Sequence, residues 1–223
     1  MHVPDGFVDI TVNAATYGAT IIAGAIAIKK SSKTLGDKQV PLLGVTAAFI
    51  FAAQMLNFPV AGGTSGHFLG AALAAILLGP WNALLVMAAV LVIQCLVFAD
   101  GGLTALGTNI FNMGIVGGFT AYFVFKSLVP LLPKNSGGII IATAVASWLS
   151  VVIASAACSI ELAVSGTSPF GVVLPAMISV HSIIGIGEAI ITCAVMSLVL
   201  AVRPDSISTI DPKQIREYKP HHA

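Results

Sequence analysis

Met1 and His2 open the chain, and a free amine followed by a histidine is a chelator. The α-amine, the deprotonated amide nitrogen of His2 and its imidazole Nδ1 can close a five-membered and a six-membered ring on one metal ion. Three nitrogens held close to a plane favour the square-planar geometry of Ni(II) or Cu(II). One corner stays open. His67, which ends the stretch Ala61-Gly62-Gly63-Thr64-Ser65-Gly66-His67, is the best residue to fill it. Most chains with a histidine at position two never use this potential. Here a bulky His2 blocks removal of Met1, and Pro4, Asp5 and Gly6 form a turn that sets where the terminus goes. No basic n-region or cleavage pattern is present, so the native terminus is expected to be retained.

A metal-bound imidazole usually gives its second N–H to a carboxylate or carbonyl, which sets its tautomer. Asp9, Ser65, Asn109, Asn112, His181 and Glu188 are the candidates for that supporting shell. His181 and Glu188 are seven apart and share a helix face. Asn109 and Asn112, three apart, are also neighbours on a face. The ordinary alternative for each is a buried polar network that ties helices together. Cys95, Cys158 and Cys193 sit in apolar runs and read as small buried hydrophobes rather than a disulfide framework.

These residues need a scaffold, and the composition says which. Hydrophobic residues make up 57% of the 223 and charged residues 9%, where soluble domains carry about 25% charged residues. Net charge is +1, which carries no signal for nucleic acid. The fold class is all-α: a polytopic membrane helical bundle with about seven transmembrane helices. The apolar segments are 9–29, 42–57, 67–79, 81–99, 108–132, 138–164 and 172–202. Several fall short of the ~20 residues of a perpendicular span. Residues 1–202 form one membrane-embedded metal-binding domain and 203–223 a cytoplasmic tail.

The charges orient the bundle. With seven spans and the N-terminus outside, Lys29, Lys30, Lys33, Lys38, Lys126, Lys134, Arg203, Lys213, Arg216 and Lys219 all face the cytoplasm, so every Lys and Arg obeys the positive-inside rule. Fusing 67–79 with 81–99 would move Lys134 outside, so Gly79, Pro80 and Trp81 read as a tight turn. Asp5, Asp9, Asp100 and Glu161 then fall in the outer loops, and Met1, His2 and His67 meet on the outer face, with His67 opening the third span. Ala15, Ala19, Ala23 and Ala27 form a small-residue stripe on the first span, suited to close helix packing or to docking another membrane subunit.

The pieces Met1-His2-Val3-Pro4-Asp5-Gly6-Phe7, Gly62-Gly63-Thr64-Ser65-Gly66-His67, Ala105-Leu106-Gly107-Thr108-Asn109-Ile110-Phe111-Asn112-Met113-Gly114, and His181 with Ile184-Gly185-Ile186-Gly187-Glu188-Ala189 occur in this order. Together they resemble the nickel/cobalt substrate-binding (S) subunits of energy-coupling-factor transporters, the CbiM/NikM group. The resemblance runs from residue 1 to about 200. It implies seven helices with the N-terminus inserted in the bundle. It also implies a square plane made by the Met1 amine, the His2 amide and imidazole, and the His67 imidazole. The bound substrate would be Ni(2+) or Co(2+). Implied partners are a transmembrane coupling subunit, two ATP-binding subunits and often a small accessory membrane subunit. The ion would cross as the whole subunit topples in a bacterial or archaeal cytoplasmic membrane, for cobalamin synthesis or for nickel enzymes.

Two other functions compete. Gly63-Thr64-Ser65-Gly66 fits the short Gly-x-Ser-Gly pattern of rhomboid-like intramembrane serine proteases, with His181 as base. A stand-alone metal channel or carrier is the second, although no clear internal repeat supports it. The chain lacks the glycine-rich phosphate loop that would let it use ATP by itself.

Overall fold

The computed structural model describes residues 1–34, 36 and 39–210. Lys38, Lys213, Arg216 and Lys219, and the tail beyond residue 210, lie outside the described residues.

The helices are α1 (Ile10–Thr34), α2 (Val40–Gln54), α3 (Ala71–Leu78), α4 (Pro80–Phe98), α5 (Leu106–Ile110), α6 (Gly118–Leu128), α7 (Ser136–Val164) and α8 (Phe170–Val202). A π-helical turn, Phe111–Gly117, joins α5 to α6. Among the described residues, five helical runs are long and apolar enough to cross a membrane: Ile10–Lys33, Pro80–Phe98, Leu106–Leu131, Ser136–Val164 and Phe170–Val202. The other two apolar segments are shorter. α2 has 15 residues and α3 has 8. At 1.5 Å per residue α3 reaches only ~12 Å, against a hydrocarbon core of ~30 Å.

α3 is instead the centre of the bundle. All eight of its residues are buried, and α4, α6 and α7 pack around it. Its limits are local chemistry. Gly70 (φ 79) precedes it, and Gly79 (φ 80) ends it directly before Pro80, a residue suited to the first turn of α4. The break expected at Gly79-Pro80-Trp81 is present. A buried helix also needs partners for its terminal backbone groups. Ahead of α3, the Glu188 carboxylate accepts the N–H groups of Leu69 (2.6 Å) and Gly70 (2.8 Å). At the other end, the Ser208 N–H donates to Leu77 O (2.9 Å) and the Thr209 hydroxyl to Ile76 O (2.6 Å). Ile207 and Ile210 are buried beside them. Ile207, Thr209 and Ile210, within the expected tail, are therefore packed against the core.

The segment between α2 and α3 differs from the expectation. The loop expected at 58–67, together with Asn57 at the end of the preceding segment, forms a hairpin, β1 (Asn57–Pro59) antiparallel to β2 (Ser65–His67). Asn57 pairs with His67. His67 therefore ends a strand and does not open a helix. Gly62 (φ 75) and Gly63 lie in the return of this hairpin, where glycines turn the chain without cost to a helix. Glu161 is a second correction. It is inside α7 and 8% exposed, not in an outer loop, because the Asn112 side chain satisfies its carboxylate there (2.5 Å).

Candidate metal centre

The N-terminal segment threads into the bundle. Met1 is 1% exposed, Val3 0% and His2 3%. Gly6 (φ 81) lets the chain turn at Pro4 to Phe7, where the Phe7 N–H meets Pro4 O at 3.4 Å. Asn109 clasps Val3 from both sides: the Val3 N–H donates to Oδ1 (2.8 Å), and Nδ2 donates to Val3 O (3.2 Å). The Gly102 N–H donates to the same carbonyl (2.8 Å). Only glycine fits at 102, since a Cβ there would overlap the backbone of Pro4 and Asp5. Asp5 is anchored in turn by the N–H and hydroxyl of Thr104, both at 2.7 Å, which hold its carboxyl below the usual range.

These anchors bring the nitrogens together. The Met1 amine is 2.5 Å from His67 Nε2. The His67 Nδ1–H donates to Phe68 O (2.7 Å), so Nε2 carries the lone pair. The His2 and His67 rings stack, with centroids 4.4 Å apart and planes inclined by 21°. The His2 amide N–H donates to the Ser65 hydroxyl (2.9 Å). His2 Nε2 faces Gln94 Oε1 at 3.1 Å, which leaves Nδ1 unprotonated. Nδ1 has no hydrogen-bond partner and lies 3.3 Å from Asp100 Oδ1. Four lone-pair nitrogens, once the amide loses its proton, are therefore available in one buried place. In a square plane with metal–nitrogen bonds of ~2.0 Å, adjacent nitrogens lie ~2.8 Å apart, close to the Met1–His67 separation.

Electrostatics keep these nitrogens free of protons. Burial pulls the Met1 amine down to about 5, against the opposing pull of Cys158 and Asp100. Burial, then the amine's charge, takes His2 down to about 3, with Gln94 opposing. His67 falls well below its ordinary value, first through burial, then through the amine and His2. Burial raises Asp100. A cleft of about 610 Å³, lined by His2, Asp5, Asn57, Ser65 and Asp100 among others, leads from the surface to this point. Asn57 Nδ2 holds Asp100 at its rim (3.1 Å).

The expected supporting residues divide. Ser65 and Asn109 touch the N-terminal segment directly. Glu188 acts one step away, on the Leu69–Gly70 turn behind His67. His181 is 1% exposed and lies close enough to affect His67, but its Nδ1–H goes to Met177 O (2.8 Å) and its Nε2 has no hydrogen-bond partner. Asp9 stays outside, where its carboxylate accepts the Thr11 N–H at the start of α1 (2.8 Å). Asn112 turns away to Glu161. The π turn after Ile110 is the reason: it takes more residues per turn, so positions three apart no longer share a face. Ser65 Oγ and His181 do not hydrogen-bond, so the serine–histidine dyad is not formed. Among the described residues no three His, Cys, Asp or Glu side chains form a metal-holding group. The nitrogen cluster uses backbone atoms instead.

Sequence reasoning passed over Gln94. Its signal was an amide deep inside the apolar run 81–99, since buried polar groups in such runs have work to do.

Residues 2–206 match the family model described as the cobalt uptake substrate-specific transmembrane region, CbiM. The chain belongs to this family. A protein of Archaeoglobus fulgidus whose name describes a fused nickel transport protein, NikMN, is 44% identical over 209 residues, which are 93% of this chain and 68% of that protein. The fused nickel transport protein NikMN of Rhodobacter capsulatus is 31% identical, covering 93% of this chain and 64% of its own. The cobalt transport protein CbiM of Sorangium cellulosum is 35% identical over 76% of this chain and 77% of its own. A crystal structure of a truncated transition metal transporter superposes with a TM-score of 0.85 at 32% identity, covering 90% of this chain and 99% of that one. With five apolar helices long enough to cross a bilayer, this CbiM-family chain is an integral membrane protein.

Proposed function

We propose that the chain is the substrate-specificity subunit of an ATP-driven uptake transporter for nickel or cobalt. It captures the ion at the outer face with the Met1 amine, the His2 amide and Nδ1, and His67 Nε2. The observation that carries this reading is the buried approach of the Met1 amine to His67 Nε2 at 2.5 Å, beside a His2 ring whose Nδ1 is free. The family match and the names of the relatives support metal uptake. The planar nitrogen set suits nickel, whose Ni(II) ion takes square-planar nitrogen sites.

In this reading seven helical segments make the bundle. The N-terminus and the 610 Å³ cleft face outward, and Lys29, Lys30, Lys33, Lys126, Lys134 and Arg203 face inward. A transmembrane coupling subunit, two ATP-binding subunits and a small accessory membrane subunit complete the machine. Asp5 and Asp100 give the mouth a negative field that draws cations in.

Uptake of radioactive nickel by cells producing this chain with a coupling subunit and ATP-binding subunits tests the proposal. Uptake should need ATP and stop with His67→Ala. Uptake that persists with this chain alone, without ATP, would make it a carrier instead.

A further inference from the structure

A neutral imidazole carries one proton, on either Nδ1 or Nε2. The N-terminal chelate can close its six-membered ring only through Nδ1, so only the tautomer with its proton on Nε2 is ready to bind. His2 stands between two acceptors that pull in opposite directions. On one side is the neutral Gln94 Oε1, 3.1 Å from Nε2. On the other is the Asp100 carboxylate, 3.3 Å from Nδ1. A carboxylate is the stronger acceptor, and left alone it would draw the proton to Nδ1 and block the chelate.

We propose that Gln94 is the positioning residue that holds His2 in the Nδ1-coordinating tautomer. The inference rests on the chelation reading above. Three features favour Gln94 in the contest. It is 0% exposed, so no water competes for its oxygen. It sits on α4, a rigid helix. Asp100 is shared with the Asn57 side-chain amide, which occupies both carboxylate oxygens (3.1 and 3.3 Å), and its approach to Nδ1 does not make a hydrogen bond. The Gln94 Nε2 is buried without a partner. A buried amide with only its oxygen engaged is costly, and that oxygen engages His2.

The test uses the full chain with its native terminus, as wild type, Gln94→Glu and Gln94→Leu. Nickel affinity is measured by competition titration, and ¹⁵N ring shifts report the His2 tautomer in the metal-free protein. Wild type and Gln94→Glu should show the proton on Nε2 and similar affinity, because a carboxylate also accepts from Nε2–H. Gln94→Leu should move the proton to Nδ1 and weaken nickel ~10–100-fold, the usual cost of removing such a partner. An unchanged tautomer and affinity in Gln94→Leu would overturn the proposal. So would a shift to Nδ1–H in Gln94→Glu, which keeps the test open if the leucine variant does not fold. The tautomer is read without metal, so a wild type that takes up no planar nickel would sink the chelation reading and leave the Gln94 result standing by itself.

Discussion

The amine of Met1 and the Nε2 of His67 stand 2.5 Å apart, although 66 positions separate them in the chain. Every layer of the fold contributes to that distance. Asn109 and Gly102 grip Val3. The β1–β2 hairpin carries His67. Glu188 seals the turn that follows it.

One residue added ahead of Met1 should abolish tight nickel binding. The extension replaces the amine by an amide and must fit a residue beside Met1, which is already 1% exposed. Titration of nickel into the extended and native proteins checks this. Equal affinity in the two would place the site elsewhere.

His67→Ala should weaken nickel by more than the ~10–100-fold seen when only an outer partner of a ligand is lost, because a whole ligand is removed. Equilibrium dialysis reads the loss. Since the Asn109 clasp on Val3 remains, the protein should stay folded.

Acid should weaken binding in a defined way. The Met1 amine titrates near 5, His2 near 3 and His67 well below its ordinary value, so all three are unprotonated at neutral pH. At their ordinary pKa values the amine and His2, as well as the amide, would have protons to lose. In the folded protein only the His2 amide proton remains to be displaced at pH 6–8. Affinity should therefore rise about tenfold per pH unit there and fall more steeply once the amine takes a proton, below about 5. A flat profile would contradict amide ligation. The metal-free protein obeys the same sign: its amine is lowered from 8.0 to about 5, so the unfolded chain binds more protons between those values, and stability falls as pH drops through that window.

Glu188→Leu should cost stability through two buried N–H groups, those of Leu69 and Gly70, at ~1–3 kcal/mol for each left without an acceptor. Thermal unfolding of the metal-free protein measures it. Nickel affinity should fall as well, since His67 lies two residues from that turn. An unchanged unfolding temperature would show that water or another group replaces the carboxylate.

Much of this was legible in the sequence, because the ligand types and the helix-length apolar runs are local signals. Met1, His2 and His67 could be picked from donor chemistry alone, and Gly79-Pro80 announced a helix break. The hairpin that carries His67 was hidden because a glycine-rich stretch between apolar runs has no strand period to read. The burial of Glu161 rests on Asn112, 49 positions away, and the divergence of Asn109 from Asn112 on a π turn, which leaves no pattern in one sequence. Gln94 shows its role only once α4 is packed beside the N-terminus, since its partner lies 92 positions away.

The central claim is that four nitrogens from Met1, His2 and His67 take the ion in a plane. Visible absorption and magnetic measurement of the purified, untagged protein titrated with Ni(II) test it most directly. The account predicts a yellow, diamagnetic one-to-one complex that disappears when a serine is placed ahead of Met1. A paramagnetic, octahedral spectrum, or a complex that survives the extension, would contradict it and move the ion away from the terminus.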